Sequence, residues 1–391
     1  MLSYHVLSSQ ELQTLTNLRQ ELHRNPELSG QEKFTASHIH EFLAKYNPDE
    51  VITNLGDTGV AAIWNSKKAG KTVLIRAELD ALPIHESNTF LHRSNTPNTS
   101  HKCGHDGHMS ILCGLAVLLQ NETLTSGRVV LLFQPAEETG QGAKAVIEDD
   151  RFKKIKPDYA FALHNLPKHA MGTVFCKKGS FCAASTGLKV TYHGTTAHAS
   201  QPKSGNNPAV ATAQLIHCLD RILETNDFTN RTLITLTHCQ VGEKSFGVSA
   251  GKSETWLTLR AFEKHDFDLL LTVLKEEATA IGKRYGLEVE LSLHESFEVT
   301  ENHHEAVELI KKAAETIEVP FTEMTAPNPW SEDFGLILKE GTGAMFGLGS
   351  GHETPDLHNP DYDFPDQLIE TGVKMFWQLI KDSIPNKTEA T

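Results

Sequence analysis

The sequence predicts an α/β protein with a smaller α+β unit inserted into its larger domain. Three observations carry this. Apolar strand-like runs alternate with helical patterns up to about residue 182, and polar residues gather just after those runs. The pattern switches to alternating strands after about 182 and switches back after 297. At 391 residues the chain exceeds what one hydrophobic core ordinarily serves. The expected organisation is a discontinuous catalytic domain, 1–182 and 297–391, with 183–296 inserted as a smaller domain.

Each element has its own reason. Leu12, Leu15, Leu18 and Leu22 fall at helical spacing within 9–24, and a second helix is read over about 31–45 after the turn PELSG. The runs GVAAIWN (59–65) and TVLIRAELDAL (72–82) read as strands, the second apolar up to Arg76, as a buried central strand would be. Residues 83–102, rich in Asn, Ser, Thr and His, read as an irregular loop. GHMSILCGLAVLLQN (107–121) is an apolar helix, RVVLLFQ (128–134) a buried strand, GAKAVIEDD a helix start and DYAFALHN (158–165) a strand ending in histidine. Beyond 182, GLKVTYHG, NPAVATAQLIHCLDRIL, RTLITLTHCQ, ETWLTLRAFE, a helix over about 266–285 and LEVELSLHE spell β-α-β-β-α-β. A helix near 304–318, a strand near 343–348 and a helix near 366–383 complete the larger domain.

Composition narrows the function. A net charge of −14 argues against nucleic acid and against an anionic membrane surface, since both need basic patches. No run of 18 apolar residues exists to span a bilayer, and MLSYHVLSSQELQ is neither basic nor apolar enough for a signal peptide, so a cytoplasmic protein is expected. The six cysteines (103, 113, 176, 182, 218, 239) form no disulfide-like framework and read mostly as buried reduced thiols. Cys103 differs in having polar, metal-capable neighbours.

Those neighbours lie in HKCGHDGH (101–108). One reading is a metal site with Cys103 and His105 as ligands; the other is a His-rich polar surface loop. QPAEETGQG (134–142) puts Glu137 and Glu138 at a strand end, after a proline that fixes the turn. Adjacent glutamates usually mark a solvated turn, but here one carboxylate can bind metal while the other acts as base. His164 ends a strand and His358 lies in DLHNPDYDF; alone, each reads as a satisfied polar residue. As a set, Cys103, His105, Glu138, His164 and His358 offer thiolate, imidazole and carboxylate from four loops. A two-metal hydrolase needs about that many ligands to hold ions ~3.5–4 Å apart. Thiolate and imidazole suit Zn, and carboxylate also suits Mn.

The chain resembles the amidohydrolase branch of the M20 metallopeptidases, which includes hippurate hydrolases, N-acyl-amino-acid deacetylases and auxin-conjugate hydrolases. The matching pieces run in family order: ELHRNPELSGQE (21–32), RAELDALPI (76–84), HKCGHDGH (101–108), FQPAEE (133–138), ALHN (162–165), GTTAHASQP (194–202), SEDF (331–334) and LHNPDYDF (357–364). The resemblance implies a zinc-peptidase-like α/β domain with a mixed sheet between helices, an inserted lid, and a homodimer through that lid. It also implies that Cys103, His105, Glu138, His164 and His358 hold two divalent metal ions per chain and that Glu137 is the general base. His198, on the inserted segment, helps hold the tetrahedral intermediate and contacts substrate, and Arg260 matches an arginine that grips a substrate carboxylate. The implied reaction is hydrolysis of the amide bond of an N-acyl amino acid. For Arg260 a solvated strand-end arginine is an equal reading.

Two departures from the family pattern stand out. Glu78 occupies a position where the family usually has Asp, either as a tolerated variant or as a longer arm that shifts its contacts. Phe246, Gly247, Val248 and Ser249 stand where relatives carry Asn-Val-Ile-Pro, which bears on substrate class rather than metal chemistry.

Rival readings are weaker. GVSAG (247–251) fits G-x-S-x-G, but that motif needs a helix after it, and KSETWLTLRAF alternates like a strand. GQGAKA (140–145) resembles a dinucleotide fingerprint, yet PAEET separates it from its strand. HExxH is absent. A dipeptidase or aminopeptidase of the same chemistry is the nearer alternative, although such relatives use His and Asp where this chain has Cys103 and His105. A ligand-binding homologue without catalysis is the other; against it, no expected ligand or base is missing.

Overall fold

The computed structural model describes residues 7–384. They form two compact units: the chain up to Phe181 with Thr300–Pro327 and Asp333 onward, and Cys182–Val299 with Asn328–Glu332.

The first unit is built on an eight-stranded mixed sheet. Its spatial order is Glu50–Leu55, Gly59–Asn65, Arg128–Gln134, Thr72–Glu78, Tyr159–Leu166, Thr342–Gly349, Val174–Cys176, Phe321–Glu323. The four strands from Arg128–Gln134 to Thr342–Gly349 are mutually parallel. Every residue of Thr72–Glu78 is buried, and in the other three only the first residue is partly exposed, as expected for strands covered on both faces. Antiparallel pairs on either side make the sheet mixed.

Helix His105–Leu119 is buried at all 15 positions, the structural meaning of its unbroken apolar run. Two of its glycines permit that burial. A Cβ on Gly107 would lie 2.3 Å from the Phe364 ring, and one on Gly114 would lie 2.5 Å from Val373 of helix Leu368–Ser383. Helix Ser9–Arg24 packs on this helix and opens with a reciprocal capping box between Ser8 and Glu11. Because the four central strands share one direction, their C-terminal ends meet on one edge, and the segments following Glu78 and Gln134 emerge there. The general rule for open α/β sheets puts ligands outside that edge.

The second unit is a four-stranded antiparallel sheet in the order Thr232–Val241, Lys252–Ala261, Ala184–His193, Glu288–Phe297. Helices Ala209–Thr225 and Lys264–Arg284 complete a β-α-β-β-α-β chain order. Inward residues of strand and helix (Leu188, Val190, Leu257, Leu259, Leu215, Leu270, Leu274) form its core.

Some elements escape the sequence pattern. Strand Glu50–Leu55 begins on a glutamate, and Val174–Cys176 and Phe321–Glu323 have three residues each, too few for a period to show. Helix Phe334–Leu338 is also short, and the helix begun at Gly142 stops at Glu148. Ser249 lies in a two-residue strand that leads into strand Lys252–Ala261, so no strand-to-helix elbow forms there. All six cysteines are free; five are buried and Cys239 is exposed. Among the described residues no helix is long and apolar enough to cross a membrane.

Candidate functional site

The site grows from three strand ends and one helix start. After Glu78 the chain delivers Asp80, fully buried. After Gln134 it turns through Pro135 and Ala136, and Ala136 adopts a left-handed φ of 49°. The buried Glu32 carboxylate accepts the Ala136 N–H at 2.9 Å and the Thr58 hydroxyl at 2.8 Å, while the Ala136 carbonyl accepts the Gly142 N–H at 3.1 Å. That bracing aims Glu137 and Glu138. Gly104 caps helix His105–Leu119 at φ 97°, where a Cβ would fall 2.3 Å from Asn165 Oδ1. Only glycine fits, and His105 thereby becomes the first helical residue.

The six side chains singled out in this unit lie together. Cys103 Sγ is 3.4 Å from His164 Nε2. His105 Nε2 is 3.8 Å from Glu137 Oε2 and 3.9 Å from Glu138 Oε1, and His358 Nε2 is 3.7 Å from Glu138 Oε2. Three donor triads result, Cys103–His105–His164, Cys103–Glu138–His358 and His105–Glu137–Glu138, each with its donor atoms within 4.8 Å of one another, the first two sharing Cys103. The first triad is entirely buried; in the second, the His358 side chain is 52% exposed.

The imidazoles are oriented for donation. His105 Nδ1 donates to the Asp80 carbonyl at 2.9 Å and His164 Nδ1 to the Asn165 carbonyl at 2.9 Å. A carbonyl only accepts, so each Nδ1 carries a proton and each Nε2 is the nitrogen turned to the site. His105 Nε2 is buried without a hydrogen-bond partner, and a metal ion would satisfy it. Asp80 accepts the Glu138 N–H at 2.9 Å and the Ser29 hydroxyl at 2.7 Å, which ties that carboxylate's backbone to the sheet edge.

Electrostatics favour a cation. Burial and the negative charges of Glu138, Glu137 and Glu78 push the Cys103 thiol far up. Burial pulls His105 down, but its hydrogen bond to Asp80 and the charges of Glu78 and Glu138 outweigh it and carry it up to about 10. Burial, with the nearby His108, holds His164 well below its ordinary value. A buried thiol amid several carboxylates is a donor set whose negative form a divalent cation would stabilise.

Sequence reasoning missed the layer behind these donors. Glu78 Oε1 accepts from Arg76 Nη1, and Oε2 pairs with His108 Nδ1 at 2.7 Å. Arg76 also donates to Gln134 Oε1 at 3.0 Å and Asp333 Oδ1 at 2.8 Å. His108 Nε2 lies 2.7 Å from Asn165 Oδ1. Burial raises the Glu78 carboxyl, but the charges of Arg76, His108 and His105 overcome it and hold it well below the usual carboxylate range. Glu78 is therefore a two-ended bridge between Arg76 and His108. The available signal was Arg76 and Glu78 two apart, on one face of an otherwise apolar strand.

His198 and Arg260 belong to the second unit. His198 is exposed, and its Nδ1 accepts the Ser200 N–H at 3.1 Å, so the neutral ring carries its proton on Nε2. Val248 and Ser249, in the departing segment, pair directly with His198 and Ala197. The same segment helps to line a cavity of about 500 Å³ with Thr195, Thr196, Glu243 and Ser245. Arg260 Nη1 donates to the Pro329 carbonyl at 3.0 Å and Ser331 Oγ at 2.9 Å. It is thus half-buried and oriented, not a freely solvated strand-end arginine; its Nε and Nη2 have no partner among the described residues.

Comparison with known proteins places the chain among relatives. The family described as peptidase family M20/M25/M40 matches residues 74–382. A hippurate hydrolase of Campylobacter jejuni is 30% identical over 368 residues, covering 93% of this chain and 94% of the relative. An N-acetyldiaminopimelate deacetylase of Exiguobacterium sibiricum is 31% identical over 372 residues, covering 94% and 98% respectively. A solved dinuclear metal-binding peptidase of the M20 family from Bacillus subtilis superposes with a TM-score of 0.81 at 26% identity, over 95% of this chain and 98% of that one.

Proposed function

This chain belongs to the M20/M25/M40 peptidase family, and from that premise we propose that it is a metal-dependent amidohydrolase cleaving the amide bond of N-acyl amino acids. The observation that carries the reading is the pair of donor triads sharing Cys103, with Glu137 beside them. Cys103, His105 and His164 would hold one divalent ion and Cys103, Glu138 and His358 the other, with Zn or Mn suited to these donors. When bound, the ions acidify water and polarise the amide carbonyl.

The remaining steps fall to side chains. Glu137 is buried and adjacent to both triads, and it takes the proton of the attacking water. The new C–O bond forms at the acyl carbon, the C–N bond breaks, and Glu137 returns the proton to the departing amine. His198 donates from Nε2 to the oxyanion of the tetrahedral intermediate, with Ser200 fixing the required tautomer. Arg260 offers Nε and Nη2 to the substrate carboxylate, its Nη1 serving as anchor. The segment 246–249 pairs with His198 through Val248, so its departure from Asn-Val-Ile-Pro falls beside that histidine and bears on substrate class.

We also infer a homodimer through that lid, supported by strand Thr232–Val241, whose ten residues form an unpaired sheet edge carrying exposed Leu236 and Val241. A cytoplasmic location is supported by the six free cysteines.

The test is a metal count with a panel of N-acetyl, N-benzoyl and dipeptide substrates. The reading expects two ions per chain and turnover of N-acyl amino acids, lost on chelation and restored by Zn or Mn. Faster turnover of dipeptides would reassign it as a peptidase, and full metal without any turnover would leave a binding protein.

A further inference from the structure

The Lys102 side chain is 0% exposed, whereas lysine is almost never fully buried without a partner. Its Nζ donates to Glu86 Oε1 at 2.5 Å and to the Tyr362 carbonyl at 2.7 Å. Its own carbonyl accepts the His358 N–H at 2.8 Å. One residue, next to Cys103, therefore grips both ends of the segment 358–362. Glu86 is itself fixed, accepting the Ser94 N–H at 2.5 Å and lying 3.0 Å from His23 Nε2. Tyr362 in turn accepts the Asn165 amide on its hydroxyl at 2.6 Å, one residue from His164.

His358 needs such a grip. It sits at φ 65°, a left-handed conformation that disfavours a non-glycine residue, and its side chain is half exposed. Conformations of this kind persist where the surroundings over-determine them. The donors of the other triad need no such help. His105 and His164 are each buried and anchored through Nδ1 to a carbonyl.

We propose that Lys102 is the positioning residue of the Cys103–Glu138–His358 triad: by clamping the segment 358–362 it holds His358 where that triad's ion binds. The inference rests on the metal reading above and makes the two ion sites unequal. Cys103–His105–His164 is rigid and tight, and the site completed by His358 is weaker and depends on the clamp.

The test is Lys102→Met, which keeps the side chain's length and the carbonyl's bond to His358 but removes the charge and donors that hold Glu86 and the Tyr362 end of the segment. Cobalt(II) is titrated into metal-free protein and followed by the thiolate-to-metal absorption band and by ion count, with folding checked by urea unfolding. Hydrogen exchange of 357–363 is measured in the metal-free state. The wild type should bind two ions. In the variant one ion should bind as before and the second roughly 10–100-fold more weakly, the usual range for loss of a group that supports a ligand. Exchange should rise in 357–363 and not in 103–110. Unchanged affinities, or equal weakening at both sites, would overturn the proposal, since a merely structural ion pair has no reason to select one site. Should Lys102→Met fail to fold, Glu86→Gln, which removes the counter-charge but keeps the shape, must show the same one-site loss or the proposal falls. If the wild type binds no ion, the metal reading fails by itself, and the exchange of 357–363 still decides the clamp.

Discussion

Glu78→Asp restores the residue more usual at this position and should nevertheless destabilise this protein. The Glu78 carboxylate reaches Arg76 with one oxygen and His108, at 2.7 Å, with the other, and it is fully buried. Removing a methylene withdraws the carboxylate by ~1.5 Å. The bond to His108 then stretches to roughly 4 Å, beyond hydrogen-bond reach. Arg76 keeps Asp333 and Gln134, so the loss falls on His108. A buried hydrogen bond to a charged group contributes ~1.5–3 kcal/mol. For a domain of a couple of hundred residues that corresponds to about 3–12 °C in melting temperature. Urea and thermal unfolding of metal-free wild type and variant measure it. The folded Glu78 carboxyl lies below its ordinary value, so its stabilisation is present above the ordinary value of 4.5 and lost as pH falls below it. The variant should show a shallower acid loss. An unchanged midpoint with an unchanged acid limb would refute the bridging role.

Three further outcomes are expected. His198→Ala should lower kcat far more than it raises KM in steady-state kinetics on an N-acetyl amino acid, because its contact forms mainly in the transition state; an unchanged kcat removes it from the mechanism. Gly107→Ala places a Cβ 2.3 Å from the Phe364 ring and should cost ~1–3 kcal/mol by urea unfolding, the range for overpacking; a neutral effect would mean that Phe364 is free to move. Burial lowers His23, but the charge and hydrogen bond of Asp106 and the hydrogen bond of Glu86 raise it from 6.5 to about 9. Its stabilisation, of order 3 kcal/mol, is thus complete below pH 6.5 and lost as pH rises through about 9. His23→Gln should flatten urea stability between those limits, and identical profiles would contradict it.

The central sheet was legible because strands covered on both faces must be apolar along their whole length, as TVLIRAE, RVVLLFQ and YAFALHNL are. Helix His105–Leu119 was legible for the same reason. Short edge strands such as Val174–Cys176 carry no period and were not. Cys103, His105, Glu137, Glu138, His164 and His358 stood out as donor types at strand ends, and the fold places them within a few ångströms of one another. Their supports did not stand out. Glu32, Asp80, Glu86 and Lys102 look like solvated charges in sequence, because burial and partner are properties of the fold. Lys102 meets Tyr362 across 260 positions, and Glu32 meets Ala136 across 104.

Glu137 and Glu138 carry different tasks, base and ligand, and a paired substitution separates them. Each is changed to Gln, and ions per chain and kcat on an N-acetyl amino acid are measured together. Glu137→Gln keeps the shape but cannot take the proton; it should retain two ions and lose roughly 10²-fold or more in kcat. Glu138→Gln should lose one ion per chain. Full metal with near-normal turnover in Glu137→Gln, or a lost ion there and none in Glu138→Gln, would contradict the assignment of base and ligand.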